Sequence, residues 1–294
     1  MSQLMRLRQQ IRAVQTTKKI THAVRLVSMS LYAKLEKKNV NLKEYSKAIR
    51  NLFIRLLGQT DDWKNSLFSP EDVLDRSPLF ILVATTKGLC GNLNSNLFRY
   101  FEQTVFIEEQ QKPTFITIGK KATQFVQERK YGEIFCSYQE LSSLNYISIA
   151  DDLVAKILEH EQGFSSVSLY CSILKSFFVQ QPRKTTLIPL EMESIGGPVH
   201  GNNVVETSKI EELIWEQAPE KALSYMSTNF LRSSVMHLLF EALLAEQAAR
   251  FLAMDSSTNN AQKYLDSLVL HYNKQRQSLI TREISELSAT VSEL

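Results

Sequence analysis

All nine glycines and all seven prolines of this 294-residue chain lie between Gly58 and Pro219. Residues 1–57 and 220–294 contain neither. Glycine loosens a helix and proline breaks it, so two breaker-free ends of this length predict two long helices flanking a different kind of middle. Apolar spacing agrees. Leu4, Leu7, Ile11 and Val14 step by three and four, and after the polar run Gln15 to Lys19 a stripe resumes at Ile20, Val24, Val27, Leu31 and Leu35. At the other end Val235, Leu238, Ala242, Ala245, Ala249 and Leu252 lead to Ala261, Leu265, Leu268 and Tyr272. A last group, Ile280, Ile284, Leu287, Val291 and Leu294, completes it. A narrow stripe of this kind is the seam of a coiled coil, interrupted at 15–19 and 254–260.

At ~1.5 Å per residue the two helices would reach roughly 85 and 110 Å. Neither buries its stripe alone, so they are expected to pair, antiparallel because a compact middle joins them. The C-terminal helix then overhangs by about eighteen residues, roughly 27 Å, and its apolar stripe needs a cover from outside the chain.

The middle alternates strand-like and helix-like runs. Leu79–Thr85, Thr114–Ile118, Ile134–Tyr138, Ser166–Cys171 and Thr185–Leu190 read as strands, and Leu93–Gln111, Lys120–Lys130 and Ile147–Gln162 as helices. This order implies a mainly parallel sheet covered by helices. The expected organisation is therefore a helix over 1–57, an α/β domain with its connecting loops over 58–207, and a helix over 208–294.

Charge is uneven. The chain as a whole carries +3, yet residues 1–55 hold thirteen lysines and arginines against two acids, Glu36 and Glu44. A partner of the first helix should be acidic. Nucleic acid is disfavoured, since that helix has few aromatics and no base-reading motif. No run of eighteen apolar residues predicts a membrane span, and the basic N-terminus lacks the apolar core of a secretory signal. Cys90, Cys136 and Cys171 are widely spaced, without a CxxC, which suggests neither a disulfide framework nor a zinc site.

No catalytic constellation emerges. Thr86-Lys87-Gly88-Leu89-Cys90-Gly91-Asn92 sits where phosphate-cradling loops occur but matches neither nucleotide-loop pattern, and reads as a tight strand-to-helix turn. Cys90 has no histidine near it in sequence. Adjacent acids at 61–62, 108–109, 151–152 and 211–212 point different ways on a helix and make poor acid–base pairs. His237 and Glu241 share a helical face and read as a surface ion pair. No cofactor or metal is expected.

Four motifs carry a resemblance across the chain. Ile11 to Thr21 (IRAVQTTKKIT), Lys87 to Asn94 (KGLCGNLN), Glu246 to Met254 (EQAARFLAM) and Tyr272 to Ile284 (YNKQRQSLITREI) appear in that order. Together they resemble the gamma subunit of F-type ATP synthases. His22-Ala23-Val24 departs from the family's Lys-Ala-Met, Thr86-Lys87 from its Asp-Arg, and Thr290-Val291 from its terminal Gly-Ala pair. The resemblance implies an antiparallel coiled coil of the termini with an inserted Rossmann-like α/β domain. It implies a non-catalytic rotor in the central stalk, carrying torque from a membrane c-ring to a ring of three alpha and three beta subunits and regulating ATPase activity and proton flow. Epsilon would bind at the foot. The complex would sit at the cytoplasmic face of a bacterial inner membrane, with this chain peripheral. Lys18 and Lys19 would face acidic segments of beta, Arg276 and Gln277 a loop of beta, and Ile280, Ile284 and Leu287 a hydrophobic sleeve. The alternative from the residues alone is a nucleotide-binding α/β protein with a coiled-coil dimerisation stalk.

Overall fold

A computed structural model describes residues 2–57, 76–105, 113–160, 163–190 and 218–292. The expected boundaries at 58 and 207–208 fall outside these residues, as do the acid pairs at 61–62, 108–109 and 211–212. Helix α1 spans Ser2–Leu57. Strand β1 follows at Leu79–Val83, then α2 at Leu93–Val105, β2 at Thr114–Ile118, α3 at Lys120–Arg129, β3 at Glu133–Tyr138 and α4 at Tyr146–Glu159. Strands β4 (Val167–Ser176) and β5 (Val179–Ile188) precede the last helix, which begins at Pro219 and runs to Ser292 and is called α5 below. Proline is at home at a helix start, where its missing N–H satisfies nothing anyway.

The chain divides into two compact units, Met1–Ser30 with Arg250–Leu294, and Leu31–Ala249. The second unit holds the sheet, in the order β3-β2-β1-β4-β5. Strands β1 to β4 are parallel to one another, while β5 returns antiparallel to β4. Strand β1 is buried along its whole length, as a central strand covered on both faces must be. On one face Ile81, Val83, Ile116 and Leu169 pack with Leu153 and Ile157 of α4, and with Phe53, Leu231, Val235 and Leu239 of the two long helices. On the other, Phe80, Leu82, Phe115 and Tyr170 meet Leu97 and Phe101 of α2 and Val126 of α3.

The hairpin departs from expectation. The last strand is read from sequence at 185–190, but β5 starts six residues earlier and pairs with a β4 that extends to Ser176. The polar run Gln180 to Thr186, with Pro182 inside it, masks the strand. Both are tolerated because β5 is an edge strand, where one row of backbone groups faces outward and a missing N–H breaks no ladder.

Candidate partner-binding surfaces

Within the first unit α1 and α5 pair antiparallel across a seam with an unbroken three–four spacing. Leu4, Leu7, Ile11, Val14, Lys18, Thr21, Arg25 and Ser28 turn inward on α1, each half-buried except Ser28, which is buried. Met254, Thr258, Ala261, Leu265, Leu268 and Tyr272 answer from α5. The stretch Gln15 to Lys19, expected to interrupt the seam, is instead crossed by it. Lys18 Nζ donates to Gln262 Oε1. The Thr258 hydroxyl donates across the seam to Thr21 Oγ1 at 2.9 Å, lying also 2.7 Å from the Met254 carbonyl oxygen, and the Thr21 hydroxyl donates to the carbonyl of Lys18 in its own helix. Arg25 Nη1 meets Asp255 Oδ1 at 2.6 Å, and its Nη2 lies 3.1 Å from His22 Nδ1.

This continuity overturns the predicted stripe at Ile20, Val27 and Leu31. Ile20 and Val27 are 57 % and 58 % exposed, and Leu31 is exposed too. A strict heptad count from Leu4 leads to Lys18, Thr21 and Arg25; following apolar residues alone leads to the outer face. The polar crossbars were missed for that reason, although the spacing signals them.

The predicted contact residues separate accordingly. Lys18 is half-buried in the seam, while Lys19, Arg276 and Gln277 are exposed. Ile280 and Ile284 are exposed on α5, and Leu287 lies in the same helix with its side chain outside the described residues. Paired positions sum to about 280, so α5 beyond about residue 278 has no α1 residue opposite it. Ile280 and Ile284 follow the seam position Leu279 by one and five residues, which puts them off the continuing seam.

In the second unit, the turn after β1 is the tight one expected. Leu89 and Gly91 take positive φ, Asn94 Nδ2 donates to Thr85 Oγ1 at 2.7 Å, and the Thr85 N–H donates to Asn94 Oδ1 at 3.2 Å. Cys90 is buried, with its Sγ 3.4 Å from the Gly88 carbonyl oxygen. Doubly wound sheets bind ligands where strand order reverses, here beyond β1 and β4. Ala242 and Glu246 of α5 line that crevice with Thr85, Asn94 and Ser172, leaving a cavity of about 10 Å³, about one water in size. A carboxylate there would repel a phosphate.

His237 and Glu241 do form a pair, at 3.7 Å, but a largely buried one rather than a surface one. Burial lowers the His237 pKa, opposed by the Glu241 carboxylate. The adjacent acids 151 and 152 part company as expected: Asp151 takes both Nε and Nη2 of Arg232, and Asp152 takes Lys156 at 2.7 Å. Among the described residues no group of three or more acids, histidines and cysteines could hold a metal.

Comparison with known proteins covers the whole chain. A family described as ATP synthase matches residues 3–294. The ATP synthase gamma chain of Heliobacterium modesticaldum is 27 % identical over 285 residues, spanning 96 % of this chain and 95 % of its own. That of Francisella tularensis subsp. mediasiatica is 28 % identical over 293 residues, spanning 98 % of each. Among solved structures, a chain of the rotor of the Euglena gracilis mitochondrial ATP synthase superposes with a TM-score of 0.66 at 17 % identity, covering 95 % of this chain and 99 % of that one. A chain of the Tetrahymena thermophila mitochondrial central stalk and c-ring gives 0.54 at 17 % identity, covering 81 % and 98 %.

Proposed function

This chain belongs to the ATP synthase family, among its gamma chains, and from that premise we propose that it is the central-stalk rotor of the F1 sector, transmitting torque between a membrane c-ring and an alpha–beta hexamer and regulating ATPase activity and proton flow. One observation carries the reading beyond family membership. The paired ends of α1 and α5 turn polar side chains into their seam and leave Ile20, Val27, Ile280 and Ile284 outside it. A free two-helix pair gains nothing from that arrangement, whereas a shaft turning inside other subunits meets apolar walls with apolar residues.

The chain itself performs no ATP chemistry on this reading; the catalytic sites belong to its partners, and epsilon binds at the foot. Among the described residues no helix is long and apolar enough to cross a membrane. Attachment through the complex, at the cytoplasmic face of a bacterial inner membrane, accords with bacterial relatives such as that of Heliobacterium modesticaldum. Exposed Arg276 and Gln277 would hydrogen-bond a loop of beta, where a guanidinium offers a two-pronged donor. Lys19 would face acidic segments of beta, and Lys18 would do so only by giving up Gln262. Ile280, Ile284 and Leu287 would turn within the hydrophobic sleeve. Coupling then consists of the different affinities that beta conformations have for one face of the shaft.

Reconstitution with alpha and beta chains tests the reading: steady ATP hydrolysis should require this chain. Arg276→Ala should lower the yield of rotation per ATP while leaving the helical content of the free chain unchanged. Full hydrolysis by alpha and beta alone, or tight ATP binding by the isolated chain, would sink it.

A further inference from the structure

On the edge of the sheet away from the hairpin, four reactive side chains converge from two elements. Cys136 and Tyr138 project from the edge strand β3, Asp152 and Lys156 from α4. The Lys156 ammonium is the hub. Its Nζ lies 2.7 Å from Asp152 Oδ2, 3.2 Å from Cys136 Sγ and 3.3 Å from the Tyr138 hydroxyl. The Tyr138 hydroxyl in turn donates to Asp152 Oδ2 at 2.5 Å. The site is open: the Asp152 and Lys156 side chains are 48 % and 35 % exposed, and Cys136 is only half-buried, unlike the buried Cys90 and Cys171. Nothing in the rotor reading uses these groups, and the inference does not depend on it.

We propose that Cys136 and Lys156 form an oxidation-driven covalent modification site, in which a peroxide converts the contact between sulfur and nitrogen into a reversible cross-link. The geometry carries it. A nitrogen held 3.2 Å from a sulfur stands at the separation of reacting atoms in a near-attack arrangement. First, Cys136 Sγ attacks one peroxide oxygen; the S–O bond forms, the O–O bond breaks, and sulfur gives up two electrons. The departing hydroxide takes the thiol proton and leaves as water, giving the sulfenic acid. Next, Lys156 Nζ passes a proton to Asp152 and attacks the sulfur. The N–S bond forms as the S–O bond breaks, and the leaving hydroxide takes the amine's second proton as a further water. Asp152 then returns its proton to solvent. A thiol reductant reverses the link by supplying two electrons. The same hydrogen bonds hold the Lys156 pKa up, Asp152 contributing most, so the amine is released slowly.

The test uses the purified full-length chain treated with hydrogen peroxide and mapped by mass spectrometry after proteolysis. The expected product joins the peptides of Cys136 and Lys156, about 2 Da below the sum of the two free peptides, and dithiothreitol separates them. In Lys156→Arg, which keeps the charge but removes the reacting amine, the joined product should fall at least about 10-fold while a dimedone adduct appears on Cys136. A dimedone adduct on Cys136 of the unaltered chain with no joined peptide would overturn the proposal. So would joining that persists in Lys156→Arg, or oxidation of Cys90 ahead of Cys136.

Discussion

The same two helices are held by different chemistry in the two units. In the second unit α1 buries Tyr32, Leu35, Leu42, Phe53 and Leu56, because α4 and the sheet join α5 as its second and third neighbours. In the first unit Ser28 is the one fully buried side chain of α1 among the described residues, and α5 there buries Arg250, Met254, Thr258 and Leu268. Two cylinders in contact share only a narrow line, so most of each surface stays wet. One region is stabilised by its own core. The other has polar crossbars and outward apolar residues, as expected of a surface completed by other chains.

That contrast breaks most easily at Phe53, which is fully buried and stacks on Phe230 with ring centroids 5.2 Å apart. Phe53→Ala should cost about 3–5 kcal/mol, read as a lower denaturant midpoint of the free chain. An effect no larger than that of a seam substitution would erase the distinction. The second unit should also respond to alkali. Burial pushes the Cys171 thiol up to about 12, from an ordinary 9.0. The unfolded chain therefore loses this proton first as pH rises. Stability is untouched below pH 9.0 and falls between there and about pH 12. Cys171→Ala should flatten that part of the profile, measured as the difference in midpoint between the two chains at each pH.

The breakers made the two long helices legible: α1 covers Ser2–Leu57 and α5 Pro219–Ser292, while the expected boundary at 208 lies outside the described residues. The inner parallel strands β1 and β2 were legible as short apolar runs, since a strand covered on both faces has no polar side to show. Two features were not. Strand β5 opens with an almost unbroken polar run, Gln180 to Thr186, and carries Pro182, which an edge tolerates but a single sequence cannot distinguish from a loop. The seam through Lys18, Thr21 and Arg25 was hidden because each finds a polar partner more than two hundred residues away. Helix chemistry alone assigns such residues to solvent. The proposed contact residues Arg276, Gln277, Ile280 and Ile284 come only from the resemblance, since an exposed side chain records nothing of a chain it would touch.

Within the first unit the effects should shrink in order. Leu268→Ala removes one of its few buried apolar side chains and should cost about 2 kcal/mol, the lower end of the core range, because a two-helix seam can close over the gap. Local hydrogen exchange around residues 261–272 reads this better than global unfolding, which the other unit dominates. Smallest of all is the Arg25–Asp255 bridge. Its 2.6 Å geometry is good, but the side chains are 25 % and 38 % exposed, so water and salt screen it. A double-mutant cycle of Arg25→Ala and Asp255→Ala should give a coupling of ~0.5 kcal/mol, shrinking further in ~1 M salt. A coupling of about 3 kcal/mol or more, indifferent to salt, would mean that the crossbars are as desolvated as a core. The first unit would then be a self-sufficient coiled coil, with no need of surrounding subunits to explain its outward isoleucines.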